Sequence, residues 1–358
     1  MPYKTFGFSP EQLLLRDNVL KLLARVMPPD KIEEHERDDA YPLEAFQALA
    51  KEGYLALPFD EAFGGVKAGH KDLAVFIEAT AYHHPGVTSA FMTTVIYAGM
   101  YIQYFGTPEQ QAEFLPRIID GKLKMAVAYT EPSGGSDAAG IKTRAVRDGD
   151  AYVLTGQKCY ITNAHVADYL AVTAKTKPDG GHKGISLFLV DTKAKGVTIR
   201  NMNPMGRRTS LPNEVFLDDV RVPVGHRLGG ENEAWKMMMR GLNLERVLLS
   251  AASAGQCLKI IDIARDWAKE RKSPKLFDTV YVANFSICNL SCRYCFVYLN
   301  EFTELSNVVG YPLLPVFQRL IDGLGQWWAQ LVIAGLFVLT HSTALEGAGE
   351  IRYLAGLN

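Results

Sequence analysis

Thr130-Glu131-Pro132-Ser133-Gly134-Gly135-Ser136-Asp137 decides how this 358-residue chain is read, together with Gly156-Gln157-Lys158-Cys159-Tyr160-Ile161-Thr162-Asn163 further on. The first stretch sets hydroxyls around a turn with adjacent glycines, where the backbone can approach a ligand that a Cβ would exclude. Turns of this kind present N–H groups that suit a phosphate or a ring carbonyl. The second stretch closes a strand on the hydroxyl of Thr162, just after an aromatic, Tyr160, that can lie along a flat ring. Neither is a Walker loop, and neither is the strand–GxGxxG–helix fingerprint. Taken alone, each also reads as an ordinary turn in a β domain.

The grammar of the chain changes on either side of these motifs. Residues 1–124 read as helical. Ser9-Pro10-Glu11-Gln12 is a helix start, with Ser as cap, Pro in the first turn and Gln three residues on. Leu15, Val19, Leu22, Leu23 and Val26 follow at helical spacing as a core stripe, which Pro28-Pro29 ends. Tyr41-Pro42 opens a further helix that stops at Gly53, and Thr107-Pro108-Glu109-Gln110 repeats the capping pattern. His83-His84 is a packing or loop pair rather than a metal site, because adjacent side chains do not converge and no third ligand is close in sequence.

Residues 125–230 alternate short runs rich in Val, Ile, Tyr, Phe and Thr with Gly and Asp turns, at 143–146, 152–155, 169–173, 185–190, 197–200 and 214–217. That spacing predicts an antiparallel barrel or sandwich carrying the two motifs on its rim. Residues 231–272 read as one long helix with apolar stripes through Met238, Leu242, Leu249 and Ala252, and through Met237, Leu244, Leu248 and Ala251. Glu245 lies on the first stripe, where a carboxylate is costly unless it is paired, neutral or used.

Bulk composition is that of an ordinary globular protein, with 48% hydrophobic and 22% charged residues. A net charge of −1 gives no electrostatic case for nucleic acid or an anionic membrane. The start of the chain lacks the basic and apolar regions of a signal peptide, so a cytoplasmic location is expected. Five cysteines, an odd number, argue against a secreted disulfide framework.

The T-E-P-x-G-G-S-D and K-x-Y-I-T-N pieces resemble the acyl-CoA dehydrogenase family of flavoproteins, as do Asp218-Asp219-Val220-Arg221-Val222-Pro223 and Leu244-Glu245-Arg246-Val247. The resemblance runs from about Phe8 to Lys272. It implies an α+β fold with an N-terminal helical domain, a middle β domain and a C-terminal helical region, 231–358. It also implies FAD, α,β-dehydrogenation of an acyl-CoA thioester, a homodimer or homotetramer in fatty acid metabolism, and electron-transfer flavoprotein or a similar acceptor. Residue by residue, Tyr129, Thr130, Gly135, Ser136, Tyr160, Thr162 and Arg271 match flavin positions, and Ser136 and Arg246 match acyl-CoA positions. Two glutamates match base positions, namely Glu245 and, in a short stretch at 344–354, Glu346. Glu245 is ranked first, because it lies in the well-matched part.

Beyond Lys272 the family pattern breaks. Pro274 would end the long helix, and the family's glutamine- and glycine-rich loop near the adenine half of the flavin has no counterpart. Instead a strand-like run, 278–287, precedes Cys288, Cys292 and Cys295. That stretch resembles the C-x-x-x-C-x-x-C signature of radical S-adenosylmethionine enzymes, whose thiolates hold three irons of a four-iron cluster. An iron–sulfur protein is therefore one alternative reading, and a non-catalytic scaffold with a dehydrogenase-like body is another. The chain after Cys295 is too short for the barrel of that second family, which favours a joined fragment. Residues 327–339 are strongly apolar but shorter than a bilayer-spanning helix.

Overall fold

The computed structural model describes residues 7–270, except Ser136. Helix α1 (Pro10–Val26) begins at a reciprocal cap: Gln12 N donates to Ser9 Oγ at 3.3 Å, and Ser9 N donates to Gln12 Oε1 at 3.1 Å. Its expected stripe buries Val19, Leu22 and Leu23. The Pro28-Pro29 pair both stops α1 and opens a helix that the prolines alone do not announce, α2 (Pro29–Arg37). Proline suits a first turn because the missing N–H has no helical partner there. Helix α3 (Leu43–Lys51) is followed by Gly53 in the left-handed region at φ 79°. Then come α4 (His70–His83) and α5 (Pro85–Phe91), a π-helical turn (Met92–Gly99), α6 (Met100–Phe105) and α7 (Pro108–Ile119). Helix α7 starts on a second reciprocal cap, between Thr107 and Gln110.

The two histidines between α4 and α5 are structural. His83 Nε2 lies 3.0 Å from the Met27 carbonyl, and burial pushes this imidazole down to about 4. Gly86 N donates to His84 Nδ1 at 3.1 Å, which leaves His84 Nε2 to donate to Glu36 Oε1 at 3.0 Å. Among the described residues no group of His, Cys, Asp and Glu could hold a metal ion.

Eight strands follow: β1 (Met125–Ala128), β2 (Arg144–Asp148), β3 (Ala151–Thr162), β4 (Tyr169–Lys175), β5 (Ile185–Asp191), β6 (Val197–Asn201), β7 (Pro212–Pro223) and β8 (Arg227–Leu228). They pair in the order β6-β7-β3-β2-β4-β5-β8, with β1 attached to β4. Most pairings are antiparallel, as the strand spacing predicts. The β1–β4 pairing and the single β2–β4 contact are parallel, which spacing does not reveal. A core of its own fills this domain, around Tyr152, Leu154, Leu170, Phe188, Val190 and Val215. The β6–β7 turn is tied to the helical domain through Arg208, whose Nε reaches the Glu36 carbonyl at 2.9 Å and Asp39 at 2.8 Å.

The last described element, α8 (Ala234–Glu270), is long and apolar enough in composition to cross a membrane. Packing uses part of that character: α8 lies along α4 and its Met237, Leu248 and Ala252 join the main core, while Val247 and Ile263 stay exposed among the described residues. Two glycines set how closely it can approach. A Cβ on Gly255 would fall 2.2 Å from the Glu78 carbonyl oxygen of α4, and one on Gly241 would fall 2.2 Å from the Tyr101 hydroxyl oxygen of α6. A methyl at 255 must displace backbone, at a cost of about 1–3 kcal/mol. In the other direction, alanine gains about 1 kcal/mol over glycine in a helix interior. The packing term is the larger, so Gly255→Ala is expected to lower the urea midpoint; a raised midpoint would show that α8 can move away from α4 freely.

Candidate active site

The two motifs that frame the β domain are joined underneath by a buried ion pair. Lys158 Nζ donates to Glu131 Oε1 at 2.8 Å, with both side chains almost completely covered. The same carboxylate accepts from Lys142 N at 2.6 Å and Thr143 N at 3.0 Å. Lys158 adds the Tyr129 carbonyl at 3.2 Å and Thr173 Oγ1 at 3.3 Å, and Cys159 N donates to the Thr130 carbonyl at 3.0 Å. Burial raises the Glu131 carboxyl, but the Lys158 charge and these hydrogen bonds outweigh it and hold the group below the usual range. Burial pushes the Lys158 ammonium down to about 8 against the pull of Glu131. A pair this satisfied orders the turn around itself.

Above the pair, Thr130 and Thr162 are half-open to solvent. Tyr160 is 56% exposed and sits at φ 58°, a left-handed conformation unusual for a bulky residue, inside a β3–β7 register shift between Lys158 and Ile161. That irregularity turns the ring outward while Cys159 and Ile161 on either side stay buried. Gly134 pairs with Glu131 across a tight turn, and its φ is not positive. Among the described residues a Cβ there would meet only the Asp137 carbonyl oxygen, at 3.8 Å, which leaves clearance beside half-open Gly135. Open hydroxyls, an exposed ring and an uncrowded backbone suit a flat, phosphate-bearing ligand.

The second half of the site is a carboxylate among tyrosines. Glu245, on α8, is half-buried; Tyr97 of the π-helical turn hydrogen-bonds its carboxyl, and Tyr101 of α6 and Tyr129 after β1 are near enough to feel its charge. Burial pushes this carboxyl up to about 7, opposed by a hydrogen bond from Tyr97 and by the charge of Arg246. Arg246 itself is exposed and donates to Asn243 at 3.0 Å. Burial also raises the phenols, Tyr101 to about 12 and Tyr129 well above its ordinary value, so both are neutral at physiological pH. The rings of Tyr101 and Tyr129 lie 6.4 Å apart. The Tyr129 hydroxyl is fully covered and has no well-aligned hydrogen-bond partner among the described residues. Ser136, Arg271, Glu346, Cys288, Cys292 and Cys295 lie outside the described residues.

Residues 9–122 match the model of the acyl-CoA dehydrogenase N-terminal domain and residues 126–220 that of the middle domain. Acyl-CoA dehydrogenases FadE29 and FadE26 of Mycobacterium tuberculosis are each 34% identical to the chain, which covers 66% and 70% of their lengths with 73% and 77% of its own. The chain belongs to the acyl-CoA dehydrogenase family. Subunit CarC of the caffeyl-CoA reductase-Etf complex of Acetobacterium woodii is 33% identical, with 74% of this chain matched to 70% of that protein. The structure of the FAD complex of PigA superposes with a TM-score of 0.69 at 26% identity, over 74% of this chain and 70% of that one.

Within this acyl-CoA dehydrogenase fold, the sequence motifs contain more than their ligand-facing residues. Glu131, the Glu of T-E-P, and Lys158, the Lys of K-x-Y-I-T-N, each sit inside a motif that does not mark them as partners. A buried pair of opposite charges leaves no local pattern. Nothing in sequence spacing alone links Tyr97 and Tyr101, four apart, to Glu245. Removing one partner of a buried pair costs about 3–5 kcal/mol, and removing both together costs much less. Lys158→Met is therefore expected to lower stability by that amount, and Lys158→Met with Glu131→Leu by clearly less in urea unfolding. Equal losses would mean that the remaining Lys142 and Thr143 hydrogen bonds, not the ion pair, hold the turn.

Proposed function

We propose that this chain catalyses the α,β-dehydrogenation of an acyl-CoA thioester with FAD as cofactor, and that Glu245 is the base. The observation that carries this reading is the enclosed Glu245 carboxyl with its pKa raised to about 7 by burial. A base is most useful near the working pH, and an ordinary surface glutamate is too weak. The α C–H bond breaks as its proton passes to the Glu245 carboxylate, the released pair forms the Cα=Cβ double bond, and the β-hydrogen leaves as hydride. Flavin, when bound, supplies the hydride acceptor. Thr130 and Thr162 would hydrogen-bond its ring, Tyr160 would lie against it, and the Gly134-Gly135 turn would admit its phosphates. The Tyr97 hydrogen bond would hold the carboxyl in place while an acyl chain excludes water from it.

The partner reading follows from CarC, whose name places it in an Etf complex, and an electron-transfer flavoprotein is proposed as electron acceptor here. A homo-oligomer working in cytoplasmic fatty acid metabolism completes the proposal. Arg246, exposed beside the base, is proposed to meet the CoA end of the substrate. No observation among the described residues favours the iron–sulfur reading.

Glu245→Gln keeps size and polarity but removes basicity. Mixed anaerobically with FAD and an acyl-CoA, the variant is expected to bleach the flavin about a hundredfold or more slowly than the parent chain. Unchanged bleaching would remove Glu245 from the mechanism. The same substitution has a signature without any ligand. Below about pH 4.5 Glu245 carries its proton in both the folded and the unfolded chain. As pH rises towards 7 the unfolded chain loses that proton while the folded one retains it, so folding stability falls across this window and the loss persists above it. Glu245→Gln should therefore melt higher than the parent at pH 8 and close to it at pH 4.

A further inference from the structure

The helical segment that delivers tyrosines to Glu245 has an unusual form. Between α5 and α6 the chain passes through the π-helical turn Met92–Gly99 without a break, and such turns mark places where a helix has been rephased to present a particular side chain. Two contacts, each four residues apart on its own helix, join this segment to α8. Tyr101 packs on Gly241, where any side chain would collide with its ring, and Tyr97 hydrogen-bonds the carboxyl of Glu245. The spacing runs in opposite directions on the two helices, so the Tyr101–Gly241 contact fixes the register that brings Tyr97 opposite Glu245.

We propose that Tyr97 is a positioning residue for Glu245: its hydroxyl, delivered by the π-helical turn, donates to the carboxylate and orients it. This rests on the reading of Glu245 as base only for its catalytic meaning; the contact itself belongs to the folded chain. Among the described residues, the groups that act on this carboxyl or feel its charge come from four elements. Tyr97 comes from the turn, Tyr101 from α6 and Tyr129 from the loop after β1, while Arg246 is its neighbour on α8. Tyr101 and Tyr129 are neutral, and the charge of Glu245 helps to keep their protons on; Arg246 acts from an exposed position. Tyr97 is the one tyrosine of the three whose hydrogen bond favours the carboxylate. A donor to a carboxylate lowers its pKa because the charged form is the better acceptor.

The test uses the whole chain and two readouts. Tyr97→Phe deletes the hydroxyl with little change in shape. In the ligand-free protein, melting midpoints from pH 4 to pH 9 should show the fall in stability extending upward by about half a unit or more relative to the parent. In a Glu245→Gln background the same substitution should add no pH-dependent change. With FAD and an acyl-CoA, the acid limb of the bleaching rate should move up in Tyr97→Phe by a matching amount, while the rate at high pH largely recovers. A Tyr97→Phe stability profile that overlays the parent, or one displaced equally in the Glu245→Gln background, overturns the proposal. Should the stability profile shift while Glu245→Gln still bleaches flavin, the positioning contact stands and Glu245 is not the base. If unfolding of Tyr97→Phe obscures the profile, Tyr97→Gln restores a donor and should return it towards the parent; failure to do so also overturns the proposal.

Discussion

The Lys158–Glu131 ion pair is the constraint on which the arrangement of this molecule depends. Taking two charges out of water is expensive, and their attraction repays that cost only when the geometry is good and the remaining hydrogen-bonding capacity is filled. Here it is filled from around the two motifs: backbone N–H groups at 142 and 143 complete Glu131, and the Tyr129 carbonyl and Thr173 hydroxyl complete Lys158. Because each partner needs the other, the turn at 130–135 and the end of β3 cannot settle independently. What faces outward from that knot, Thr130, Tyr160 and Thr162, inherits its placement from what lies beneath.

The base side of the site is placed by different means. Among the described residues no ion pair lies under Glu245; its position comes from how closely α8 can lie against the helical domain. Glycines at 241 and 255 allow backbone to approach side chain in one case and backbone in the other. The carboxyl is then carried into a region where its charge is poorly solvated, which is unfavourable for folding and useful for proton transfer. The two halves thus follow opposite electrostatic logic, one fully compensated and one left under-compensated.

Much of this was legible in the residues themselves. Reciprocal caps at Ser9 and Thr107 have short-range patterns and appear where they are expected. Strand runs at 169–173 and 185–190 extend by one or two residues into β4 and β5, as end positions commonly do. Glu245 stood out because a carboxylate on an apolar stripe breaks a pattern. The second use of Pro28-Pro29 was not legible, since proline stops one helix and starts another with the same chemistry. The parallel pairing of β1 with β4 joins segments far apart in the chain, and partnership at that distance is decided by packing rather than by local sequence. The Lys158–Glu131 and Tyr97–Glu245 contacts were hidden for the same reason.

The rephased helix through residues 92–99 has one more consequence. On its early turns, Asn163 Nδ2, at the end of the second motif, donates to Thr93 Oγ1 at 3.2 Å, and Met125 N at the start of β1 donates to Thr94 Oγ1 at the same distance. On its later turns the same rod carries the tyrosines that meet α8. An uninterrupted α-helix turns about 100° per residue, and a one-residue insertion rotates everything downstream by that angle. The π turn is thus a mechanical phase shifter, letting a single rigid rod grip the β domain with one face and the base-bearing helix with another. The two halves of the site therefore hang from one continuous helical support rather than from two separate ones.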